Sequence, residues 1–373
     1  MRRRDLLAAL TLAWLAAACQ DSPAGPVARP SPGPDPVDLA APWRTATPAE
    51  VGLNGFAMSA AVAEARSIPR FRSLLVVREG KLAVEEYFGG YGPGTLNDVR
   101  SVTKSIVGTL AALAAERGHL DGLDDRIDRH LPPDVAALDF GQRAITIRHL
   151  LTMTGGFQWD ETGGGGDYTK WILSEDPLGT LLDRPLVDPP GSGFTYNSAA
   201  VHLLGVVLEE AVGEPLPAFA ARELFGPIGI ENAAWEPMND GYVNGGSGID
   251  LRARDLARIG QLYLQDGVSG TRRILPEGWV GQATRPWFDW RASYGPLDRY
   301  TYGQLWWVSE SRPETAFLAW GFGGQFIYVV PSLHLVVVAT TDWHGLGSEG
   351  GPGPLELQVL YLILDRVHRA AAS

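Results

Sequence analysis

The sequence predicts an α+β protein in which both chain ends build one antiparallel sheet with flanking helices, while the middle forms an inserted, mostly helical lobe. Three observations predict it: short β-rich runs stand near the start, helical patterns fill the middle, and β-rich runs return before a final helix. One domain over residues 42–371 follows. Its α/β lobe comprises 42–98 and 300–371, its helical lobe 99–299, and a cleft is expected where they meet.

Ser73 to Val77 and Leu82 to Phe88 are the first strands, and Arg78-Glu79-Gly80-Lys81 between them reads as a hairpin turn. Helical spacing then recurs in Ser101 to Arg117, Ile147 to Met153, Asn197 to Val212, Pro217 to Leu224 and Ala253 to Leu264, with Gly and Pro between them. The returning strands are Tyr302 to Val308, Gln325 to Val330 and Leu335 to Thr340. Pro331-Ser332-Leu333-His334 joins the last two, and a helix from Pro354 to Arg369 closes the domain.

Before this domain, Arg2, Arg3 and Arg4 precede an apolar run from Leu6 to Ala18 that is too short to span a bilayer comfortably. Residues 1–19 therefore read as a secretory signal. The stretch Leu15-Ala16-Ala17-Ala18-Cys19 resembles a bacterial lipoprotein box, which makes Cys19 the candidate lipidation site, and Arg3-Arg4-Asp5-Leu6-Leu7 resembles a twin-arginine export signal. Residues 20–41 form a Pro-rich spacer. An exported protein of the periplasm or cell envelope, tethered by lipid, is the expectation, and Cys19 as the sole cysteine allows no internal disulfide.

With 45% hydrophobic and 20% charged residues, the 373-residue chain has the composition of an ordinary globular protein. A net charge of −12 without a basic cluster in the domain argues against nucleic acid as a partner. None of the 7 histidines falls in a metal-spaced cluster, and no G-x-S-x-G elbow accompanies them; no metal or organic cofactor is expected.

Lys104 is out of place in this pattern. Val102, Ile106, Val107, Leu110 and Leu113 surround it on a helix that is apolar over most of its circumference, where a cation is costly. Ser101 lies one turn before it, so the two side chains share a helix face. A desolvated lysine can lose its proton and act as a base, which an arginine cannot, so Lys104 is a candidate activator of the Ser101 hydroxyl. The alternative is that Ser101 caps the helix, competing with Asp98, while Lys104 snorkels outward.

Two further elements carry chemistry. Tyr196 stands at the start of the helix Asn197 to Val212 and would serve as a general acid or base if an adjacent Lys⁺ lowered its pKa; otherwise it is a core ring. Gly321, Gly323 and Gly324 precede a β-run, where a backbone amide could approach a substrate, or where the chain merely turns.

Ser101-Val102-Thr103-Lys104, Tyr196 and the Gly-rich strand, in this order, resemble the three motifs of the serine β-lactamase and penicillin-binding-protein superfamily. The resemblance spans roughly residues 45–370 and is similar above all to the class C branch, with its family VIII carboxylesterases and 6-aminohexanoate-dimer hydrolases. Supporting stretches are 145–156, Gly246-Ser247-Gly248, Arg254-Asp255-Leu256-Ala257 and Gly323-Gly324-Gln325. The resemblance implies a β-lactamase/transpeptidase-like fold with Ser101 as the acyl-forming nucleophile, Lys104 as base and Tyr196 as proton shuttle. It further implies an oxyanion hole from the amides of Ser101 and Gly324.

Two departures bear on the substrate. Where many relatives have Tyr-x-Asn, this chain has Tyr196-Asn197-Ser198, so the substrate-contacting amide is displaced or replaced by a hydroxyl. Where β-lactamases have Lys-Thr-Gly or His-Thr-Gly, it has Gly321-Phe322-Gly323 after Trp320, without the cation that holds a β-lactam carboxylate. Substrate contacts are therefore expected from Asn197, Ser198, Trp320, Phe322 and Gly323. Trp159 and Glu161, in an acidic and aromatic loop, are expected to cap the cleft or to lie on the solvated surface. The predicted activity is hydrolysis of a small ester or amide. β-Lactam or D-peptide hydrolysis, or binding without catalysis at the envelope, are the rivals.

Overall fold

The computed structural model describes residues 35–133, 135, 138–161, 166–346 and 353–372. Cys19 and the secretory signal lie outside the described residues. Eight strands form an antiparallel sheet: β1 (Phe71–Arg78), β2 (Lys81–Tyr87), β3 (Ala292–Tyr294), β4 (Leu297–Tyr302), β5 (Trp307–Ser309), β6 (Ala316–Gly321), β7 (Gln325–Val330) and β8 (Leu335–Thr341). Their order is β2-β1-β8-β7-β6-β5-β4-β3, so β1 from the start of the chain pairs with β8 from its end. This is the sheet from both termini that the sequence predicts.

The central strands are buried on both faces, which is why they read as continuous apolar runs. Alternate residues serve different layers. Val336 and Val338 of β8 join the core shared with the helical lobe, and Leu335, Val337 and Ala339 join the core beneath α1 (Gly55–Ser67) and the C-terminal helix. On the lobe side lie α2 (Val102–Glu116), α3 (Ser198–Val212) and α4 (Ala253–Leu264), and the C-terminal helix begins as α5 (Gly353–Tyr361). Gly260 lets α4 approach closely, since a Cβ there would lie 2.6 Å from Val336 Cγ1.

The structure differs from expectation in four places. Tyr302 to Val308 is not one strand: Gly303 N–H bonds back to Trp306 C=O at 2.8 Å, Leu305 has φ of 57°, and the chain turns from β4 into β5. The strand β6 was hidden because Pro313 and the glycines after Trp320 mask a short apolar run. The lobe boundary falls before residue 300, because α4 packs on β8, β7 and β1 and the edge strand begins at Ala292. The spacer ends earlier than residue 41, because Val37 N–H bonds Gln265 at 2.9 Å, Leu39 N–H bonds Ser269 at 2.9 Å and the Leu39 side chain is buried.

Candidate active site

A strand at Leu96–Asp98 leads through Val99 and Arg100 into α2. Arg100 adopts φ of 50°, a strained conformation for a non-glycine residue, and the Asp98 carboxylate accepts its N–H at 2.9 Å. That bend places Ser101 at the tip of α2. Its hydroxyl makes no capping bond to the helix, so the capping alternative does not occupy it.

Lys104 is 1% exposed and does not snorkel. Its Nζ lies 2.8 Å from Ser101 Oγ, 2.8 Å from Ser198 Oγ and 2.7 Å from the Gly246 carbonyl oxygen. Burial pushes the ammonium down to about 7, against the pull of Glu161 and with the help of Arg100. A neutral amine has two protons and one lone pair. The Gly246 carbonyl can only accept, and Ser198 Oγ contacts the Glu161 carboxylate, to which it donates. In its neutral form the amine can place both protons on these two oxygens and leave its lone pair for the Ser101 hydroxyl 2.8 Å away.

Glu161 also accepts Ser198 N–H at 3.0 Å and the Trp159 indole N–H at 2.6 Å. Trp159 and Glu161 were expected to cap the cleft or lie on the solvated surface; the structure packs Trp159 into the lobe core and joins the half-buried Glu161 to Lys104 through Ser198. Ser198 is likewise buried as a lysine partner. Asn197 is buried too, and its side-chain oxygen caps α3 by accepting Ala200 N–H at 2.9 Å. Ser198 and Asn197 are buried and hydrogen-bonded, and the half-buried Glu161 joins Trp159 to Ser198.

Tyr196 packs with its ring centroid 4.9 Å from Lys104 Nζ, and its phenol interacts with Ser101. Burial raises the phenol far above its ordinary value, with Glu161 adding to the rise. The lowering by a neighbouring Lys⁺ on which an acid-base role was made conditional does not occur; the shift runs upward, which favours the protonated phenol. Trp307 stacks on it at 5.7 Å, whereas Trp320, expected to contact the substrate, packs with Tyr294 at 5.3 Å against the core on the other face of the sheet, where both face Glu356.

The turn Phe322–Gly324 joins β6 to β7 beside Ser101. A Cβ on Gly321 would meet the Val99 carbonyl oxygen at 2.3 Å, so only glycine allows this approach. Gly324, expected as the second oxyanion donor, bonds Gly321 C=O at 3.3 Å and also contacts Glu356, so its N–H is engaged. Because the Gly321–Phe322 peptide is trans and its carbonyl faces β7, the Phe322 N–H points the opposite way, where β6 has run past the end of β5. Phe322 itself packs against Trp343, centroids 6.2 Å apart, and Trp343 lies under the Arg100 guanidinium at 4.4 Å.

Sequence reasoning missed Gly246 as a lysine partner, Arg100 with its hydrogen bond to Tyr168 at 2.6 Å, and Glu356. For Glu356 the signal was present: it is one acid within Leu355, Leu357, Val359 and Leu360, the same anomaly that exposed Lys104. Among the described residues, no group of three or more His, Cys, Asp or Glu is placed to hold a metal ion.

Comparison with known proteins bears on this constellation. A family model described as Beta-lactamase matches residues 72–359. The 6-aminohexanoate-dimer hydrolase of Paenarthrobacter ureafaciens is 25% identical over 310 residues, covering 74% of this chain and 76% of that protein. Esterase EstB of Burkholderia gladioli is 33% identical over 182 residues, 45% of either chain. A solved octameric penicillin-binding protein homologue from Pyrococcus abyssi matches with a TM-score of 0.64 at 17% identity, over 84% of this chain and 77% of that one, a likeness of fold.

Proposed function

This chain belongs to the beta-lactamase family and is a hydrolase-fold protein related to esterases and amidases, and from that premise we propose that it cleaves an ester or amide through an acyl-enzyme on Ser101. The observation that carries the reading is the buried Lys104 Nζ 2.8 Å from Ser101 Oγ, with Ser198 Oγ and the Gly246 carbonyl as its other partners. In the first step the Ser101 proton passes to Lys104 Nζ as Oγ bonds to the substrate carbonyl carbon. The developing oxyanion is held by the N–H groups of Ser101 and Phe322. Collapse breaks the bond to the leaving group, which takes a proton from Tyr196 while Lys104 returns one to the phenol. Water then enters by the reverse route and releases the acid.

An ester or linear amide without a carboxylate to hold suits a strand end that reads Gly321-Phe322-Gly323, with no cation where a β-lactam carboxylate would need one, and the stacked Tyr196 and Trp307 rings favour an apolar flank. The N-terminal reading supports export with a lipid anchor at Cys19 as part of this proposal. The test is parallel turnover of p-nitrophenyl butyrate, a linear 6-aminohexanoate dimer and a chromogenic cephalosporin by the parent and Ser101→Ala. Ester or amide turnover lost in the variant is the expected result. Turnover that persists in Ser101→Ala sinks the serine mechanism, and rapid cephalosporin turnover sinks the substrate assignment.

A further inference from the structure

Glu356 takes no part in the steps above, yet its carboxyl group is fully buried directly behind the turn that carries Phe322. It comes from α5, on the far side of the sheet from the helical lobe. Its Oε1 accepts Gly323 N–H at 2.9 Å, and the Gly324 N–H also contacts the group. The Trp320 indole and the Tyr294 phenol face it, and Oε2 has no well-formed hydrogen bond among the described residues. An apolar side chain would fill this space without the cost of burying an acid. Something other than packing must explain the carboxyl group.

What it holds is narrowly built. Gly323 and Gly324 adopt φ of 79° and 105°, and a Cβ on Gly323 would lie 2.5 Å from Trp343 Cβ, so the turn fits with glycine alone. The Gly323 carbonyl accepts the Thr341 hydroxyl at 2.6 Å, and the Gln325 side-chain amide donates to that hydroxyl at 2.8 Å. The Gly323 residue is thus fixed at its C=O by β8 and at its N–H by Glu356. One residue before it stands Phe322, whose N–H has no hydrogen-bond acceptor among the described residues.

We propose that Glu356 is the positioning residue of the oxyanion turn: by accepting the amides of Gly323 and Gly324, it fixes the Phe322 N–H toward the carbonyl bound at Ser101. The inference rests on the Ser101 acyl-enzyme reading and names what aligns its second oxyanion donor. Burial pushes the Glu356 carboxyl up to about 8, so near neutrality it is an acid and accepts the two amides without placing an anion behind the oxyanion. The groups facing it are Trp320, Tyr294 and the two glycine amides, with Tyr196 feeling it at longer range, and no salt bridge reaches it among the described residues. Glutamine preserves the acceptor without the charge and should substitute.

The experiment compares Glu356→Gln, Glu356→Leu and Ser101→Ala in the full chain. It measures kcat and KM for p-nitrophenyl butyrate, and the affinity of phenylboronic acid, which forms a tetrahedral adduct at an activated serine. Glu356→Gln should keep kcat within about twofold, whereas Glu356→Leu should lose about 10- to 100-fold, the scale of a misplaced catalytic group, with KM little changed. Boronate affinity should fall in parallel. A folded Glu356→Leu that keeps the parent's kcat and boronate affinity overturns the proposal, as does a Glu356→Gln variant that loses as much as Glu356→Leu. Should Glu356→Leu not fold, Glu356→Asp carries the test, because withdrawing the acceptor by one methylene must lower kcat and Gln must not. Ser101→Ala separates the two readings: if it still turns over ester, the acyl-enzyme reading falls and this inference with it. If it is inactive while Glu356→Leu is normal, the positioning role alone falls.

Discussion

Lys104 and Glu356 are both buried, both ionisable and both held behind a reacting group, yet they are built differently. Burial drives each toward its uncharged form, the lysine down to about 7 and the glutamic acid up to about 8. Their partners separate them. Lys104 Nζ has three oxygens around it, two of which can accept its protons and leave its lone pair for Ser101. Glu356 has amide donors on Oε1 and no such bond on Oε2. Desolvation therefore sets the charge state in both places, and hydrogen-bond direction decides which group moves a proton and which holds a backbone still.

The largest effect that would break this contrast is expected from Lys104→Ala, which should lower kcat/KM for an ester by about 10²- to 10⁴-fold, as removal of a general base does. Steady-state kinetics on protein folded by circular dichroism checks it, and a variant as active as the parent would leave Lys104 no different in kind from Glu356. Ser198→Ala removes one of the two proton acceptors and should cost about 10- to 100-fold by freeing the amine to rotate.

The pH profile sharpens the contrast next. Activity should rise as pH increases through about 7, where Lys104 loses its proton. Glu161 raises that value and Arg100 lowers it, so Glu161→Gln should move the acid limb to lower pH and Arg100→Leu to higher pH. Displacements in the same direction would refute the assignment of that limb to Lys104.

Stability against pH should carry opposite marks from the two groups. Between about 4.5 and 8 the folded chain keeps a proton on Glu356 that the unfolded chain has released, so this group makes stability fall as pH rises. Between about 7 and 10.5 the unfolded chain holds a proton on Lys104 that the folded chain lacks, so stability rises with pH. Thermal melts of Glu356→Gln should lose the first trend and Lys104→Met the second. The smallest effect is expected from Asn197→Ala, which removes the cap of the helix that delivers Ser198 and should cost about 1 kcal/mol in a denaturant titration.

The sequence by itself determined what depends on neighbours along the chain. The hairpin at Arg78 to Lys81, the bounds of Ala253–Leu264, the strand Gln325–Val330 and the Ser101–Lys104 face all follow from periods of two and 3.6 residues. The misplaced charge of Lys104 was legible for the same reason: a cation inside an apolar run is a local contradiction. Tertiary structure alone decided what each polar group meets. Lys104 reaches Ser198 and Gly246 across separations of 94 and 142 residues, and Glu356 meets Gly323 across 33. No periodicity encodes such distances, because they are fixed when β1 pairs with β8 and the lobe closes on the sheet. That is why Asn197 and Ser198 read as substrate contacts from their motif positions and prove to be buried, and why a loop read only from its acids and aromatics proves to join Glu161 to Ser198. It is also why the Gly324 amide, read from its motif position as open, proves to bond Gly321 and Glu356: a peptide plane points where its hydrogen-bonded neighbours turn it, and those neighbours are assembled only in the folded chain.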